Sequence, residues 1–269
     1  MSMFILSAFA DEISPNLEEQ IRVLLENDIH FLEFRGLENK SIIDYSPAEI
    51  RAVSARLRED GIGVSALGSP IGKISINDPF PPHLERFKKA IDTAVILGAP
   101  NIRMFSFFIP KGENPDAYRS AVMERWFAFR QAAEGSGLSL LHENEKEIFG
   151  DTPERCLDLL QTMDSPLIRA TFDPANFIQC GVEPYPRAYE ILKNYITYVH
   201  IKDARWDGVV VPAGEGEARL GRTLRALHAS GYQGFLSIEP HLNDSLPGGG
   251  PELFAIAANA LKKLLVDFA

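Results

Sequence analysis

Eight short apolar runs, most of them followed by a longer amphipathic one, limit what this chain can fold into more than any other feature. The runs are FILSAFA (4–10), FLEFR (31–35), IGVSAL (62–67), NIRMFSF (101–107), LSLLHE (138–143), IRATFD (168–173), ITYVHIKD (196–203) and GFLSIEP (234–240). Their β-branched and aromatic content predicts strands. The intervening segments place apolar residues at i, i+3, i+4 and i+7, most clearly in NLEEQIRVLLENDI and PHLERFKKAIDTAVILGA, which predicts helices. SPNLEE, SPAEI and DTPERC carry Ser or Asp/Thr as the expected cap, then Pro in the first turn, a helix-start pattern. EDGI, LGAP, GSGL and ASGYQG place Gly where helices stop. Strands separated by helices with such short connections pair in parallel through right-handed crossovers. Eight of them close naturally into a barrel. The alternative, a doubly wound open sheet, usually opens on a glycine-rich turn, and SAFADEIS has none. The expectation is an α/β fold, a single (β/α)8 TIM barrel with eight parallel strands and outer helices, in one domain over residues 1–269. NDSLPGGGPE (243–252) reads as a loop before the last helix.

Charge and composition narrow the function classes. The formal net charge is -10, the wrong sign for a surface that grips a phosphate backbone, so no nucleic-acid partner is expected. The two cysteines, Cys156 and Cys180, form neither a CxxC pair nor a zinc spacing, and read as inert thiols in a reducing cytoplasm. The opening MSMFILSAFADEI lacks a basic segment and turns acidic at once, so it reads as a strand and not as a leader. No run of about 18 apolar residues is present, and no membrane span is expected. The chain has no patch diagnostic of association, although barrels of this kind often form homo-oligomers.

The reactive face of such a barrel lies at the C-terminal ends of its strands, and the polar residues fall there. Strand 2 ends in Glu33 and Arg35, and Lys73 follows strand 3 in GSPIGK. Strand 4 carries Arg103 and ends near Ser106; strand 5 ends in His142, Glu143, Asn144 and Glu145. Strand 6 ends in Asp173, with Asn176 in the following turn; strand 7 ends in His200, Lys202 and Asp203; strand 8 ends in Glu239 and His241. Several have ordinary structural readings. Glu33 and Arg35 form a barrel ion pair, Lys73 is solvated, or Arg103 braces the wall. Strand alternation sends only one of His142 and Glu143 inward, and the expectation is Glu143 inward, His142 structural. Cys180 and Trp206 are candidates to line a pocket. His30, His83 and His228, on or beside helices, are expected at the surface.

Glu143, Asp173, His200 and Glu239 stand apart. They put three carboxylates and one imidazole at the ends of strands 5 to 8. Three converging carboxylates repel strongly without a cation. One divalent ion among them makes an ordinary oxygen-rich site with one nitrogen, suited to Mn²⁺ or Mg²⁺, with Zn²⁺, Co²⁺ or Fe²⁺ as further options.

With these motifs the chain resembles the sugar phosphate isomerase/epimerase superfamily, built on a xylose isomerase-like barrel. LLHENEKEIFGDTPE, FDPANF, VHIKDA, PAGEGE and GFLSIEPHL carry the resemblance, with SAFADEISPNLEEQI, LEFRG, SPIGKI and IRMFSF in the front half. It implies that Glu143, Asp173, His200 and Glu239 are the metal ligands, and that Glu143 and Glu239 act as an acid/base pair, as in the ketose 3-epimerase branch. That branch has a substrate-contacting histidine three residues after the metal aspartate, where this chain has Asn176.

The residues then outline a chemistry. A metal-bound carbonyl makes the neighbouring C–H acidic, and the metal stabilises the enediolate. One glutamate removes the proton; its return to the other face inverts the centre, and its return to the neighbouring carbon isomerises the substrate. Lys202, Lys73, Arg35 and Arg103 are candidates to hold a phosphate or carboxylate of a small sugar-like substrate, joined by Asn176 and His241. Asp203 is a candidate to orient a ligand or Lys202, with a loop or capping role as its alternative. Rival readings are a metal-dependent dehydratase or lyase acting on a polyol or keto acid, a non-catalytic sugar-binding barrel, and a histidine-rich nuclease barrel.

Overall fold

The computed structural model describes residues 4–268. The eight apolar runs form eight parallel strands: β1 (Ile5–Ala8), β2 (Phe31–Phe34), β3 (Gly63–Gly68), β4 (Asn101–Met104), β5 (Ser139–Glu143), β6 (Ile168–Phe172), β7 (Ile196–Ile201) and β8 (Phe235–Ile238). They are one sheet in the order β1-β8-β7-β6-β5-β4-β3-β2. β1 and β2 lie side by side without a hydrogen-bonded ladder between the described residues, so the barrel is nearly closed. The Ser7 and Ser65 hydroxyls, on β1 and β3, meet at 2.6 Å inside it.

The helices begin and end where short-range chemistry directs. Asn16 caps α1 (Leu17–Glu26) by accepting the Glu19 N–H. Ser46 and Glu49 form a reciprocal capping box on α2 (Pro47–Glu59), with Pro47 at its first turn. α3 (Phe80–Leu97) stops at Gly98, whose φ of 73° suits a residue without a side chain. α4 spans Arg119–Ala133. α5 (Pro153–Met163) starts at Thr152, which accepts the Arg155 N–H. One start differs from the sequence expectation. In SPNLEE the cap is Asn16, and the Ser14 hydroxyl instead accepts the Asn16 N–H at 3.1 Å ahead of the helix. No helix among the described residues is long and apolar enough to cross a membrane.

His83 corrects another expectation. It is buried, and its Nε2 accepts the Gly72 N–H at 2.8 Å. The reason is helical phase: His83, Phe87, Ala90, Ala94 and Leu97 repeat on the inner face of α3. Burial and the nearby arginines push its pKa down to about 4, so the ring is neutral and can accept.

Strand alternation positions the site. Leu141 and Glu143 share one face of β5; Tyr198, His200 and Lys202 share one face of β7 and its end. Ala66, Leu141 and Tyr198 pack together inside the barrel, with Phe235 against them. The apolar layer thus lies low, and the polar residues of the same phase rise toward the C-terminal mouth. His142, in the opposite phase, packs outward with its ring edge-on to Trp126 on α4 and its Nε2 3.0 Å from the Ser106 hydroxyl.

Candidate metal centre and substrate cavity

The ends of β5 to β8 bring Glu143, Asp173, His200 and Glu239 together, with one ligand atom of each lying within 4.8 Å of all the others. His200 is at the centre. Its Nδ1 is 3.2 Å from Glu143 Oε1, 3.6 Å from Asp173 Oδ2 and 3.7 Å from Glu239 Oε2. Its Nε2 is 3.0 Å from Glu33 Oε2. Burial opposes a charge on this ring, but the Glu33 and Glu143 carboxylates hold its pKa well above the ordinary value.

Each carboxylate is held by local structure. Asp173 is the N-cap of the short α6 (Pro174–Gln179): its Oδ1 accepts the Asn176 N–H at 2.8 Å. The Asn144 side chain clamps the Asp173 backbone by accepting its N–H and donating to its carbonyl, at 3.0 and 2.9 Å. Asp173 Oδ2 is buried and has no hydrogen-bond partner; the Lys202 ammonium lies beside it, with Nζ 2.8 Å away. Glu143 Oε1 accepts from Asn176 Nδ2 at 3.1 Å, and Oε2 is 3.1 Å from Arg103 Nε. Burial alone raises the Glu143 pKa, but His200 and Arg103 bring it down to about 2. Glu239 Oε2 accepts from Lys202 Nζ at 2.6 Å and Oε1 is 3.1 Å from His241 Nε2. Against the cost of burial, Lys202, His241 and His200 hold its pKa well below the carboxylate range.

This donor set fits a divalent cation. A buried Asp173 oxygen without a hydrogen bond faces the same point as two other carboxylate oxygens and an imidazole nitrogen. In the neutral ring that a metal requires, Nε2–H can donate to Glu33, which leaves the Nδ1 lone pair toward that point.

Beside the cluster is a cavity of 580 Å³, lined among others by Glu143, Glu239, Arg35, Lys73, Lys202 and His241. A volume of this size accommodates a small ligand. The cations expected on the substrate side are mostly engaged. Arg35 lies on the Phe9 ring and meets Asp11 at 2.7 Å and Glu12 at 3.3 Å. It does not pair with Glu33, which lies deeper in β2 and turns to His200 and Arg103. Arg103 is buried between Glu33, Glu143 and the Ser69 carbonyl, so it braces the wall while bordering the cavity. Lys73 is 3.2 Å from Glu145 and lies over the Phe105 ring. His241 bridges Glu239 and Glu12.

Two placements differ from expectation. Asn176 is in the first turn of α6, not in a turn after the strand; it is fully enclosed, and its amide is used on Glu143 and the Asn144 carbonyl rather than on the cavity. Asp203 touches neither His200 nor Lys202. Its carboxylate collects the backbone N–H groups of Ala204, Gly214, Gly216 and Ala218 at 2.9 to 3.2 Å, and so folds the loop PAGEGE. A residue adjacent to Lys202 in sequence must face away from it in a strand. Asp203→Ala leaves these four donors without their acceptor. It is expected to cost about 3 kcal/mol in urea unfolding, with metal affinity unchanged. Trp206 is half exposed and, like Cys180, does not line this cavity.

The sequence marks Glu33 and Asn144 only as polar residues at strand ends, without their roles around the cluster, and does not mark Lys40 at all. Glu33 sits under His200, one full strand alternation below Arg35. Lys40 reaches the cavity from a two-stranded hairpin (Gly36–Leu37 with Lys40–Ser41) inserted after β2; no periodic signal marks so short an element.

A nearly closed parallel barrel with a buried carboxylate and imidazole cluster at its C-terminal mouth defines the TIM-barrel class to which this protein belongs. Its family is equally plain: the sequence profile of the xylose isomerase-like TIM barrel matches residues 21–264, and the chain belongs to that family. A 2-epi-5-epi-valiolone 7-phosphate 2-epimerase from Actinoplanes sp. is 30% identical over 207 residues, 74% of this chain and 72% of that protein. The IOLI protein with a binding zinc atom superposes with a TM-score of 0.78 at 16% identity, covering 100% of this chain and 99% of that one. The probable 3-DHS dehydratase AsbF from Bacillus anthracis gives 0.78 at 15% identity, over 97% and 99%. These two structures share the fold.

Proposed function

We propose that this protein, acting as a single domain over residues 1–269, is a divalent-metal-dependent isomerase or epimerase of a small sugar or sugar phosphate. Glu143, Asp173, His200 and Glu239 hold the ion, and Glu143 and Glu239 move the proton. The observation that carries this reading is the division of labour within the cluster: Glu143 and Glu239 border the cavity, whereas Asp173 and His200 are completely enclosed behind them. The epimerase similarity over most of the chain and the zinc in a structure of the same fold support it.

Bound among these ligands, a divalent cation supplies Lewis-acid polarisation of a substrate carbonyl. The protein's own residues do the rest. Glu239 takes the proton from the carbon beside the carbonyl. Glu143, fixed by Asn176 and Arg103, returns one from the far side. Lys202, His241 and His200 keep Glu239 ionised, so it acts as a base by position rather than by high basicity, and Glu143 returns a proton that it first takes from solvent in the cavity. Lys73, Lys40 and His241 border the outer cavity, where a hydroxyl or an anionic group would meet them.

The reading is tested with a panel of ketoses and ketose phosphates in D2O containing Mn²⁺, followed by NMR. Deuterium entering beside the carbonyl together with a changed stereocentre or carbonyl position is the expected result. Loss of water from the substrate, or no exchange on any member, counts against it. Glu33→Gln probes the support beneath His200. Without the carboxylate that orients Nε2–H, Mn²⁺ affinity is expected to fall by about tenfold or more, measured by calorimetric titration. An unchanged affinity means that His200 is oriented by packing alone.

A further inference from the structure

We propose that Lys202 is the resident counter-ion of the acidic cluster and that it changes places with the metal ion. Loading the metal then turns the Lys202 ammonium into the substrate cavity. The inference rests on the metal-dependent reading above and adds a linkage between metal occupancy and the charge presented to substrate.

The geometry is specific. Lys202 Nζ is 2.8 Å from Asp173 Oδ2 and 2.6 Å from Glu239 Oε2. Those same two oxygens lie 3.6 and 3.7 Å from His200 Nδ1, on the side where a shared ion would be held. The ammonium and the ion therefore claim the same two oxygens. Both are positive, and the lysine side chain and both carboxylates are nearly or fully buried, so water screens their repulsion poorly. One of the two must yield.

Lys202 is the cation able to do so. Its flexible stem ends in a single ammonium group, and the residue already borders the cavity. Arg103 is fixed at once by Glu33, Glu143 and the Ser69 carbonyl. Arg35 is committed to Asp11 and Glu12. Strand alternation also gives Lys202 no other direction: it stands two residues beyond His200, on the same face.

Two consequences separate this role from simple structural support. First, the ammonium neutralises Asp173 and Glu239 when no metal is bound, so the lysine stabilises the metal-free protein and opposes metal binding. Second, the nitrogen is enclosed without metal and accessible with it.

The test is titration of Mn²⁺ alone into metal-free wild type, Lys202→Met and Lys202→Arg at one fixed pH. Lys202→Met is expected to bind Mn²⁺ about tenfold or more tightly than wild type, and Lys202→Arg about as wild type does. Metal-free Lys202→Met should melt below wild type, and the Mn²⁺-loaded forms should melt together. If Lys202→Met does not fold without metal, the wild type decides. Reductive methylation of Lys202, read by mass spectrometry, should be slow in the metal-free protein and several-fold faster with Mn²⁺. Equal or weaker Mn²⁺ binding by Lys202→Met, or methylation indifferent to the metal, overturns the exchange while leaving the metal-dependent reading intact. A wild type that binds no Mn²⁺ removes both.

Discussion

Glu239→Gln is expected to stop deuterium exchange beside the carbonyl of the epimer whose proton it removes, with turnover lower by about 10²–10⁴-fold, the range typical for loss of a general acid or base. The substitution conserves shape and leaves an oxygen for the cluster, but it removes the carboxylate that faces the cavity. Glu239 is positioned by Lys202, His241 and, at 3.7 Å, Arg35, so an amide there is still supplied with donors and the barrel should persist. The matching Glu143→Gln variant separates the two glutamates. For the epimer whose proton Glu239 removes, exchange should continue while inversion ceases. Saturating Mn²⁺ in both assays separates lost proton transfer from lost metal affinity. Undiminished exchange in Glu239→Gln would falsify its role as base.

The second large effect concerns stability. Adding Mn²⁺ or Zn²⁺ to metal-free protein at about 100 times its Kd should stabilise the fold by about 2.7 kcal/mol, a rise in melting temperature of about 5–10 °C for a chain of this size. Asp173→Asn should abolish that rise. The enclosed Oδ2 that accepts no hydrogen bond becomes part of a neutral amide, while an amide oxygen can still cap α6 by accepting the Asn176 N–H. A wild-type melting curve unmoved by either metal, confirmed by absence of binding heat, would remove the centre.

Much of the architecture was legible in sequence because it is encoded locally. Strand and helix periods are set by side-chain geometry, and the two inner-face residues Leu141 and Glu143 have to point alike. Gly98 and the box of Ser46 with Glu49 end or start helices by contacts within a few residues. Local signals failed where a residue had two local partners to choose from. In SPNLEE both Ser14 and Asn16 can cap, and the chain uses Asn16. His83 was legible in principle, from its place on the inner stripe of α3, but a polar residue beside an exposed Pro-rich start obscured it.

The candidate site divides in the same way. Which residues stand at the strand ends follows from alternation and length alone, and so Glu143, Asp173, His200 and Glu239 were recoverable as a group. Their partners were not. Glu33 is 167 residues from His200 and Arg103 is 70 residues from Glu33; such pairings depend on barrel closure. Sequence adjacency also misled at Asp203, next to Lys202 in the chain but turned by the strand pleat to the loop at Gly214–Ala218.

By itself, then, the sequence determined the eightfold alternation, the faces of the strands and the polar residues carried to one end of the barrel, because each depends on geometry repeated every two or 3.6 residues. Tertiary structure alone decided which cation neutralises which carboxylate. Charges separated by tens of residues compete for the same few ångströms, and only the closed barrel fixes their distances: Arg35 to Asp11, Arg103 to Glu143, and Lys202 to the two oxygens that a metal would claim.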